Sequence, residues 1–405
     1  MKNMSCCLPA LLIGSAFAGA GPAFAQTRQT YLDVSGGVGY ASNAALQPGG
    51  DTDSFFGRLS ANGVHAWQTE RSSTRLSAFV EHSTYGGGNL DSKQIFDLNG
   101  DTSYAVSETL QLFGAVGFSG DFGGQLSTRF TGPPTFPETS PVITPPPPLT
   151  PSDPELFGLT GRQYRLTGQI GAALRPTERE QWSFAASASH FFFSGSSSGL
   201  DYWTYGGSAG YERQVSERSS VGLRLAVQRS EFPGGVSATV LNPQVTFRTR
   251  FSEVWDAQAA VGVSYSDEDR GAGSDKNWSL SLDGSLCRTF ENDRLCARAS
   301  RYSQPSATAQ LVQTTSAGLD WSRRLGQRDN IQLSANVVRS SGLELLGVPL
   351  RPTYYTAAGS YSRQFSPRLS GGVFVNARKL TQAGPDPKAD FSGSLFVTYR
   401  FGDIR

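Results

Sequence analysis

Apolar and polar residues alternate with a period of two in many short segments of the sequence, and this pattern limits the fold more than any other feature. In residues 391–401, FSGSLFVTYRF, Leu395 and Tyr399 lie on one side of an extended chain and Ser394 lies on the other, with Phe396 as an exception. Similar alternation occupies residues 110–118, 164–174, 221–228, 278–287 and 331–338. Because successive side chains of a β-strand point to opposite faces, each segment is predicted to be a strand with one apolar face.

Two kinds of connection separate these segments. Short polar connections occur at residues 68–73, 107–109, 176–180, 215–219, 251–254, 291–294, 326–329 and 366–368. Longer glycine-rich connections occur at residues 46–53, 86–92, 267–276 and 381–388. Outer-membrane barrels alternate tight periplasmic turns with longer extracellular loops, whereas a soluble β-sandwich has no reason to sort its loops by length. The sequence therefore predicts an all-β fold, a transmembrane antiparallel up-and-down β-barrel of about 18 strands (range about 16 to 18), with both termini on the periplasmic side.

One segment departs from the alternation. Between Val240 and Val245 the apolar phase shifts at Asn242-Pro243. Proline cannot donate a hydrogen bond to a neighbouring strand. A β-bulge or an early exit into a loop is therefore predicted at this point.

The first residues have the composition of a secretory signal. Lys2 supplies a positive charge, residues 8–17 are apolar, and Ala-Phe-Ala at positions 23–25 forms a small-x-small cleavage site. We therefore predict a signal peptide at residues 1–25 and the barrel at residues 26–405. The rest of the chain has no apolar run near the ~20 residues that a membrane-spanning helix needs. A soluble periplasmic protein also satisfies these observations, but the alternating strands favour a closed barrel in the outer membrane of a Gram-negative cell.

A proline tract, FTGPPTFPETSPVITPPPPLTPSDPE, interrupts the strand pattern at residues 130–155. Proline fixes φ and lacks an amide hydrogen, so the tract is unsuited to a strand inside a sheet. It lies between the segments 110–118 and 163–174, which predicts that residues 120–160 form the third extracellular loop. Loops of this length are usually functional or disordered. Either it folds over the mouth or into the lumen as a constriction, or it is a solvated loop.

Charged residues on the polar side of the strands are predicted to line a pore. They are Arg58, Arg75, Glu81, Asp97, Asp101, Arg165, Glu212, Arg224, Arg248, Asp256, Asp283, Arg298, Asp320, Arg378 and Arg400. Both signs are present, as in a polar wall with cross-strand pairs, whereas a ring of one sign would select one class of ion. A mild preference for anionic solutes and a self-paired interior are the two alternatives.

Cys287 and Cys296 straddle the short connection RTFENDRL. If Glu291 and Asn292 form the centre of the turn, the two cysteines are directly opposite each other on the lumen face. Extracytoplasmic compartments are oxidising, and opposite residues of antiparallel strands are close enough for a disulfide. We predict a structural disulfide; the alternative is a pair of buried free thiols.

The histidines do not favour an enzyme. His65 lies beside a short connection, and His82 and His190 lie near the far ends of their strands. A barrel hydrolase would need a histidine beside a serine or an acid, but residues adjacent in a strand point to opposite faces. The sequence also has no metal-ligand spacing. No catalytic residue, no metal and no cofactor is predicted.

Aromatic residues are placed as in membrane-interface girdles. Trp67, Trp182 and Trp255 lie at short connections, and Trp203 and Tyr205 lie towards the opposite strand ends. Girdles at both interfaces are expected for a barrel with an apolar band of ~25 Å.

The signal sequence, the glycine-rich opening strand VSGGVGYASNAAL at residues 34–46 and the aromatic closing strand resemble a known group. The chain is similar to the β-barrel porins of Gram-negative outer membranes, especially the "beta-barrel porin 2" type. The resemblance implies envelope transport, in some members exopolysaccharide export. The closing strand also resembles the signal read by the barrel assembly machinery, carried here by Leu395, Val397, Tyr399 and Phe401.

The predicted function is an outer-membrane channel for small polar solutes or for envelope polysaccharide export. The alternative is a structural or adhesive surface barrel with a closed lumen, and a barrel hydrolase is the least favoured class. Expected partners are outer-membrane lipid, the barrel assembly machinery and, for polymer export, other envelope export proteins. A formal net charge of +1 gives no reason to expect nucleic acid as a partner.

Overall fold

The structure is a computed structural model that describes residues 27–44, 46, 52–86, 90, 92–122, 162–194, 201–269, 273–306, 309–345, 348–381 and 388–403. The predicted signal peptide, residues 1–25, lies outside these ranges. Residues 123–161, which contain the proline tract of the predicted loop 120–160, also lie outside them.

Within the described ranges the chain forms 20 β-strands, numbered in chain order. They are β1 (Thr27–Ala41), β2 (Ser54–Gln68), β3 (Ser72–Tyr85), β4 (Lys93–Ala105), β5 (Leu110–Phe122), β6 (Arg162–Thr177), β7 (Glu180–Ser194), β8 (Tyr202–Ser216), β9 (Ser219–Glu231), β10 (Ser237–Arg250), β11 (Trp255–Asp269), β12 (Ser274–Phe290), β13 (Asp293–Pro305), β14 (Leu311–Arg324), β15 (Asp329–Ser341), β16 (Leu343–Leu345), β17 (Val348–Leu350), β18 (Thr353–Gln364), β19 (Leu369–Thr381) and β20 (Asp390–Gly402). A single 3-10 turn is described at Pro233–Gly235. None of the described residues belongs to a helix long and apolar enough to cross a membrane.

The long strands close into one barrel. Eighteen of them form an antiparallel sheet in which neighbours in the chain are neighbours in space. β15 pairs directly with β18, because β16 and β17 form a separate short hairpin. The first and last strands also pair, with Val38 opposite Leu395, so the sheet has no first or last strand. This confirms the predicted up-and-down barrel of 18 strands.

The two ends of the barrel differ in the length of their connections. Short turns occupy residues 69–71, 106–109, 178–179, 217–218, 251–254, 291–292, 325–328 and 365–368. Thr27 and Gly402 lie at this same end, which we call the turn end, and the longer connections lie at the opposite, loop end. The predicted sorting of short and long connections is confirmed. In bacterial barrels the end with short turns faces the periplasm.

The outer surface of the barrel is apolar. Side chains at least 60% exposed include Val38, Phe55, Leu59, Val116, Ile170, Leu223, Trp278 and Leu395. Aromatic pairs lie near both ends: the rings of Trp182 and Tyr211 are 4.6 Å apart at the turn end, and those of Tyr265 and Trp278 are 4.8 Å apart at the loop end. A closed sheet satisfies its backbone groups internally and can present such side chains to lipid. The chain is therefore an outer-membrane β-barrel.

The predicted bulge or early loop exit at Asn242-Pro243 is wrong, although the β10–β11 ladder lacks partners for these two residues and resumes at Gln244 in the same register. The register between β10 and β9 is continuous from Ser237 opposite Glu231 to Thr249 opposite Ser219. Leu241, Pro243 and Val245 share the outer face, so the apolar phase continues through the proline. The register instead shifts at two turn-end positions, in β6–β7 between Leu174 and Thr177 and in β8–β9 between Gln214 and Ser216.

Candidate functional site

The predicted pore-lining residues lie on the lumen side of the wall. Arg400, for example, lies between Tyr399 and Phe401, which are both exposed on the outer face. The same alternation applies to Arg58 and Arg165, which precede the exposed Leu59 and Leu166. The set is distributed over the strands as follows: Arg58 in β2, Arg75 and Glu81 in β3, Asp97 and Asp101 in β4, Arg165 in β6, Glu212 in β8, Arg224 in β9, Arg248 in β10, Asp256 in β11, Asp283 in β12, Arg298 in β13, Asp320 in β14, Arg378 in β19 and Arg400 in β20. They form a charged inner surface rather than one compact site.

Some of these residues pair with each other. The Nε atom of Arg58 lies 3.3 Å from a carboxylate oxygen of Glu81. The corresponding distance between Arg298 and Asp320 is 3.7 Å. Opposite charges on adjacent strands lower each other's field in the lumen. These pairs leave a wall that is polar but not dominated by one sign.

Two further arginines pair with acids that the sequence did not identify. Arg400 forms a bidentate contact with Asp33, with a shortest distance of 2.6 Å. Nε and a terminal nitrogen of Arg378 both donate to the same oxygen of Asp390, Oδ2, at 3.0 and 2.6 Å. Asp33 and Arg400 come together only because β1 pairs with β20, a register that local alternation does not specify.

Other arginines of the set bind amides instead of acids. Nε of Arg224 donates to Oε1 of Gln244 at 2.9 Å. A terminal nitrogen of Arg248 donates to Oε1 of Gln258 at 3.4 Å. Because glutamine is neutral, these hydrogen bonds do not neutralise either guanidinium group, although the carboxylate of Asp283 lies close enough to Arg224 to interact with it electrostatically. The two arginines lie on adjacent strands, β9 and β10.

Lumen-facing phenylalanine rings lie along the wall instead of across the pore. Phe396, the exception to the alternation, faces the lumen beside Gly372, where an added Cβ would lie 2.9 Å from its ring. The ring of Phe113 occupies the space that a side chain at Gly171 would need. Covering a glycine with an aromatic ring is a known way to stabilise glycine within a sheet. These two glycines of the lumen face thus accommodate the two rings against the wall.

At the loop end, residues 42–44 and 46, here called the mouth segment, turn inward. Asn43, Ala44 and Leu46 are buried to 2–3% exposure. The backbone N–H of Asn43 donates to Oδ1 of Asp390 at 2.9 Å, and its side-chain amide donates to the carbonyl of Lys388 at 2.8 Å. The mouth segment is therefore attached to the beginning of β20.

The buried pair of Arg378 and Asp390 forms the base of this attachment. Asp390 is completely buried and the side chain of Arg378 is 10% exposed. Arg378 also donates to the carbonyl of Ala44 at 3.5 Å. Leu46 then packs with Tyr354 and Leu380. A buried ion pair needs further hydrogen bonds to both of its partners. The mouth segment supplies them, because Asn43 donates to Asp390 and Ala44 accepts from Arg378.

A second segment narrows the mouth from another side. The loop-end parts of β13 and β14, with the connection between them, form what we call the inturned hairpin (residues 302–306 and 309–314). The backbone N–H of Leu311 donates to the carboxylate of Glu268 at 3.2 Å. Ala309 and Leu311 pack against a buried cluster formed by Phe191, Tyr202, Phe232 and Ala238. This cluster belongs to the lumen face of β7 to β10, so the inturned hairpin lies inside the barrel. Neither inward segment was identified from the sequence, which carries no periodic signal for loop packing.

Cys287 and Cys296 are opposite each other in the β12–β13 ladder and form a disulfide, with Cα atoms 4.1 Å apart. Both are buried on the lumen face. Their ladder neighbours are the predicted pore residues Asp256 and Asp320.

We expect the disulfide to stabilise the barrel only slightly. It closes a loop with a sequence separation of 9, for which chain entropy gives at most ~3 kcal/mol, and the tight turn already restricts the same strands. The variant with Cys287→Ser and Cys296→Ser should assemble and show a small decrease in its free energy of unfolding by urea in lipid vesicles. Loss of assembly would contradict this expectation.

The histidines lie on the outer face, and His65 and His190 lie among aromatic rings. The imidazole of His190 stacks on Trp203 with centroids 4.2 Å apart. Nδ1 of His65 lies 2.7 Å from Oγ1 of Thr30, and its ring is 5.2 Å from that of Trp67. No group of three or more metal-binding side chains occurs within the described part of the chain. These contacts are those of membrane-interface side chains.

Comparison with known proteins gives similarity in structure but not in sequence. No protein-family model and no curated protein matches the sequence. OccK2 (OpdF) of Pseudomonas aeruginosa aligns with a TM-score of 0.47 and 12% identity, over 93% of this chain and 98% of that chain. The outer membrane protein OpdK of the same species aligns with a TM-score of 0.46 and 11% identity, over 92% and 99%. The siderophore receptor PirA of P. aeruginosa aligns with a TM-score of 0.43 and 14% identity, over 93% and 80%.

Similarity at this level does not transfer a substrate to this chain. The class of the protein follows from its own geometry, namely the closed sheet, the apolar exterior and the sorted connections. On these grounds the chain is an 18-stranded, lipid-facing β-barrel of the outer-membrane type.

Proposed function

We propose that this barrel is a channel for small polar solutes. The main support is the exposure of charged side chains inside the wall: Arg298 and Asp320 face the lumen yet keep 62% and 43% of their side-chain surface accessible to water. Barrels of 16 to 18 strands leave an aqueous channel, whereas barrels of about 8 strands are filled by side chains. The two inward segments would set the width of the mouth. The outward histidines give no support for a hydrolase.

The proposal predicts steady current through the protein in a planar bilayer. The refolded barrel should conduct, and a variant without residues 125–156 tests whether the proline tract restricts the current. Conduction only after the deletion would make the tract a plug. If neither protein conducts, the proposal of a channel is contradicted and the structural or adhesive surface barrel is favoured.

Ion selectivity should depend on the lumen charges. Arg298→Glu is expected to shift the reversal potential in a salt gradient towards cation preference, because it reverses a charge that faces the water-filled lumen. Arg288→Glu makes the same change on the outer face of β12, as Arg288 is opposite Trp255. This control should leave the reversal potential unchanged. Equal shifts in both variants would contradict the assignment of Arg298 to the pore.

Export of an envelope polysaccharide is a second candidate. It is supported by the lumen-facing rings of Phe113 and Phe396, because aromatic faces along a wall can contact sugar rings. Such transport would require other envelope export proteins as partners. Block of the bilayer current by soluble oligosaccharides, lost in Phe113→Ala, would support this candidate, and block that persists in the variant would oppose it.

We further propose that the barrel assembly machinery recognises β20. Leu395, Val397, Tyr399 and Phe401 are 39–60% exposed on the outer face of the closing strand, where another protein can reach them. Replacing Phe401 with serine should slow insertion by the assembly machinery in reconstituted vesicles. Unchanged insertion would contradict this role.

A further inference from the structure

The wall of the barrel is incompletely paired between β12 and β13. Their ladder runs from Phe290 opposite Asp293 to Leu282 opposite Arg301 and ends there. β12 continues to Ser274 in register with β11 alone, and β13 continues to Pro305 in register with β14 alone. We call this part of the wall the seam (residues 274–281 of β12 and 302–305 of β13).

At the seam, β13 lies on the lumen side of β12. Oγ of Ser303 lies 3.3 Å from Oγ of Ser279. Ser279 alternates with the outward Trp278 and Leu280, so its side chain is on the lumen side of β12. β13 is held in this position by the inturned hairpin, whose Leu311 binds Glu268 inside the barrel. The loop-end part of β12 is consequently a free strand edge on the outer surface.

A free edge inside a membrane requires polar partners. Along an edge, alternate residues direct N–H and C=O groups away from the sheet. Hydrocarbon cannot bind these groups, and each one left unsatisfied destabilises the structure. Acyl chains alone are therefore poor neighbours for residues 274–281, whereas a polar headgroup with acceptor oxygens suits their N–H groups.

Two arginines lie on the outer face near this edge, Arg301 on the adjacent β13 and Arg339 on β15, two strands further along the wall. Arg301 shares its side of β13 with the exposed Leu295, and Arg339 shares its side of β15 with the exposed Leu333. Both are in register with Thr315 of β14, so their Cα atoms are about 10 Å apart, twice the spacing of adjacent strands. Two extended arginine side chains can reach one group at this separation.

Neither guanidinium group is paired with an acid among the described residues. A terminal nitrogen of Arg301 donates to Gln313, but its buried Nε has no hydrogen-bond partner in the structure. Arg339 is exposed and makes no ion pair with any described residue. The outward positions of β13, β14 and β15 near the loop end, within residues 301–305, 311–315 and 337–341, include no aspartate or glutamate. Among the described residues of these strand ends, this surface has positive charge without an acidic partner.

We propose that the seam binds the phosphorylated headgroup of an outer-leaflet lipid. Arg301 and Arg339 contact a phosphate, and charge-assisted hydrogen bonds from arginine to phosphate are among the strongest polar contacts in proteins. The free N–H groups of β12 supply further donors to the same headgroup. The acyl chains lie along the outward Trp278 and Leu280. The lipid thereby covers the edge that β13 leaves free.

The test measures lipid retention by the intact barrel. The protein is reconstituted in phosphatidylcholine nanodiscs with diphosphorylated lipid A, with dephosphorylated lipid A or with inorganic phosphate. Binding is measured by native mass spectrometry. Diphosphorylated lipid A should bind, and the double variant Arg301→Gln with Arg339→Gln should reduce its affinity about tenfold or more. Glutamine keeps most of the side-chain volume, and bilayer conductance serves as a check on folding.

Arg229→Gln is the matched control. Arg229 lies near the loop end of β9, but its charge is paired with Glu231 at 3.3 Å. The control should retain the lipid like the unmodified protein. The proposal is overturned if the double variant retains lipid A, if Arg229→Gln loses it equally, or if dephosphorylated lipid binds as well. Binding of inorganic phosphate with equal affinity would also overturn it, because the site would then be a general anion site.

Discussion

Arg378→Ala is expected to detach the mouth segment and to increase the bilayer conductance. The substitution leaves the carboxylate of Asp390 completely buried without its cationic partner, and breaking a buried ion pair costs ~3–5 kcal/mol. It also removes the donor to the carbonyl of Ala44. Asp390 is then no longer held in place by Arg378, so the hydrogen bonds from Asn43 to Asp390 and Lys388 are expected to weaken. The measurements are single-channel conductance and the urea midpoint of unfolding.

Arg400→Ala is the control for this prediction. Arg400 and Asp33 form another short arginine–aspartate pair, which is bidentate and less buried, with side chains 18% and 17% exposed. That pair joins β1 to β20 and holds no inward segment. The control should lower the unfolding midpoint without raising the conductance. If both variants raise the conductance equally, the mouth segment does not depend on Asp390.

Gly262→Ala is expected to disturb the barrel strongly. A Cβ at Gly262 would overlap the backbone carbonyl of Pro243 on the adjacent strand, and a backbone atom cannot move aside as a flexible side chain can. Overpacking of this kind costs roughly 1–3 kcal/mol. The expected result is a lower urea midpoint and partial loss of the heat-modifiable band that folded barrels give on gels.

The control is Gly168→Ala in β6. An added Cβ at Gly168 meets no atom within 4 Å, and alanine restricts the unfolded chain more than glycine does. This variant should be as stable as the unmodified protein, or slightly more stable. Equal losses in both variants would show that glycine is needed in these strands for flexibility and not for the close approach of Pro243.

Gly262 also explains why sequence analysis misjudged Asn242-Pro243. Proline lacks one backbone donor, and the sequence indicated an interruption for that reason. In the structure β11 accommodates the proline because Gly262 has no side chain at the point of contact. The compensating residue is on a different strand, so only the register reveals it.

The architecture, by contrast, was predictable from local patterns. Alternation of apolar residues identifies strands because one face contacts lipid and the other faces the lumen. Connection length identifies the two ends of the barrel. The mouth was not predictable, because the contacts of Asn43 with Asp390 and of Leu311 with Glu268 join residues far apart in the sequence. Nothing in a single strand indicates that its end will turn inward.

The pairing of β1 with β20 has a consequence for the time course of folding. The hydrogen bond from Arg400 to Asp33 joins residues 367 positions apart. Contacts between distant parts of a chain form late, because the entropy of the intervening loop must be lost first. Until the last strand arrives, every intermediate has two open edges that can pair with another chain. Closure by β20 should therefore be the slow step, and truncation before Asp390 should produce aggregates instead of a smaller barrel.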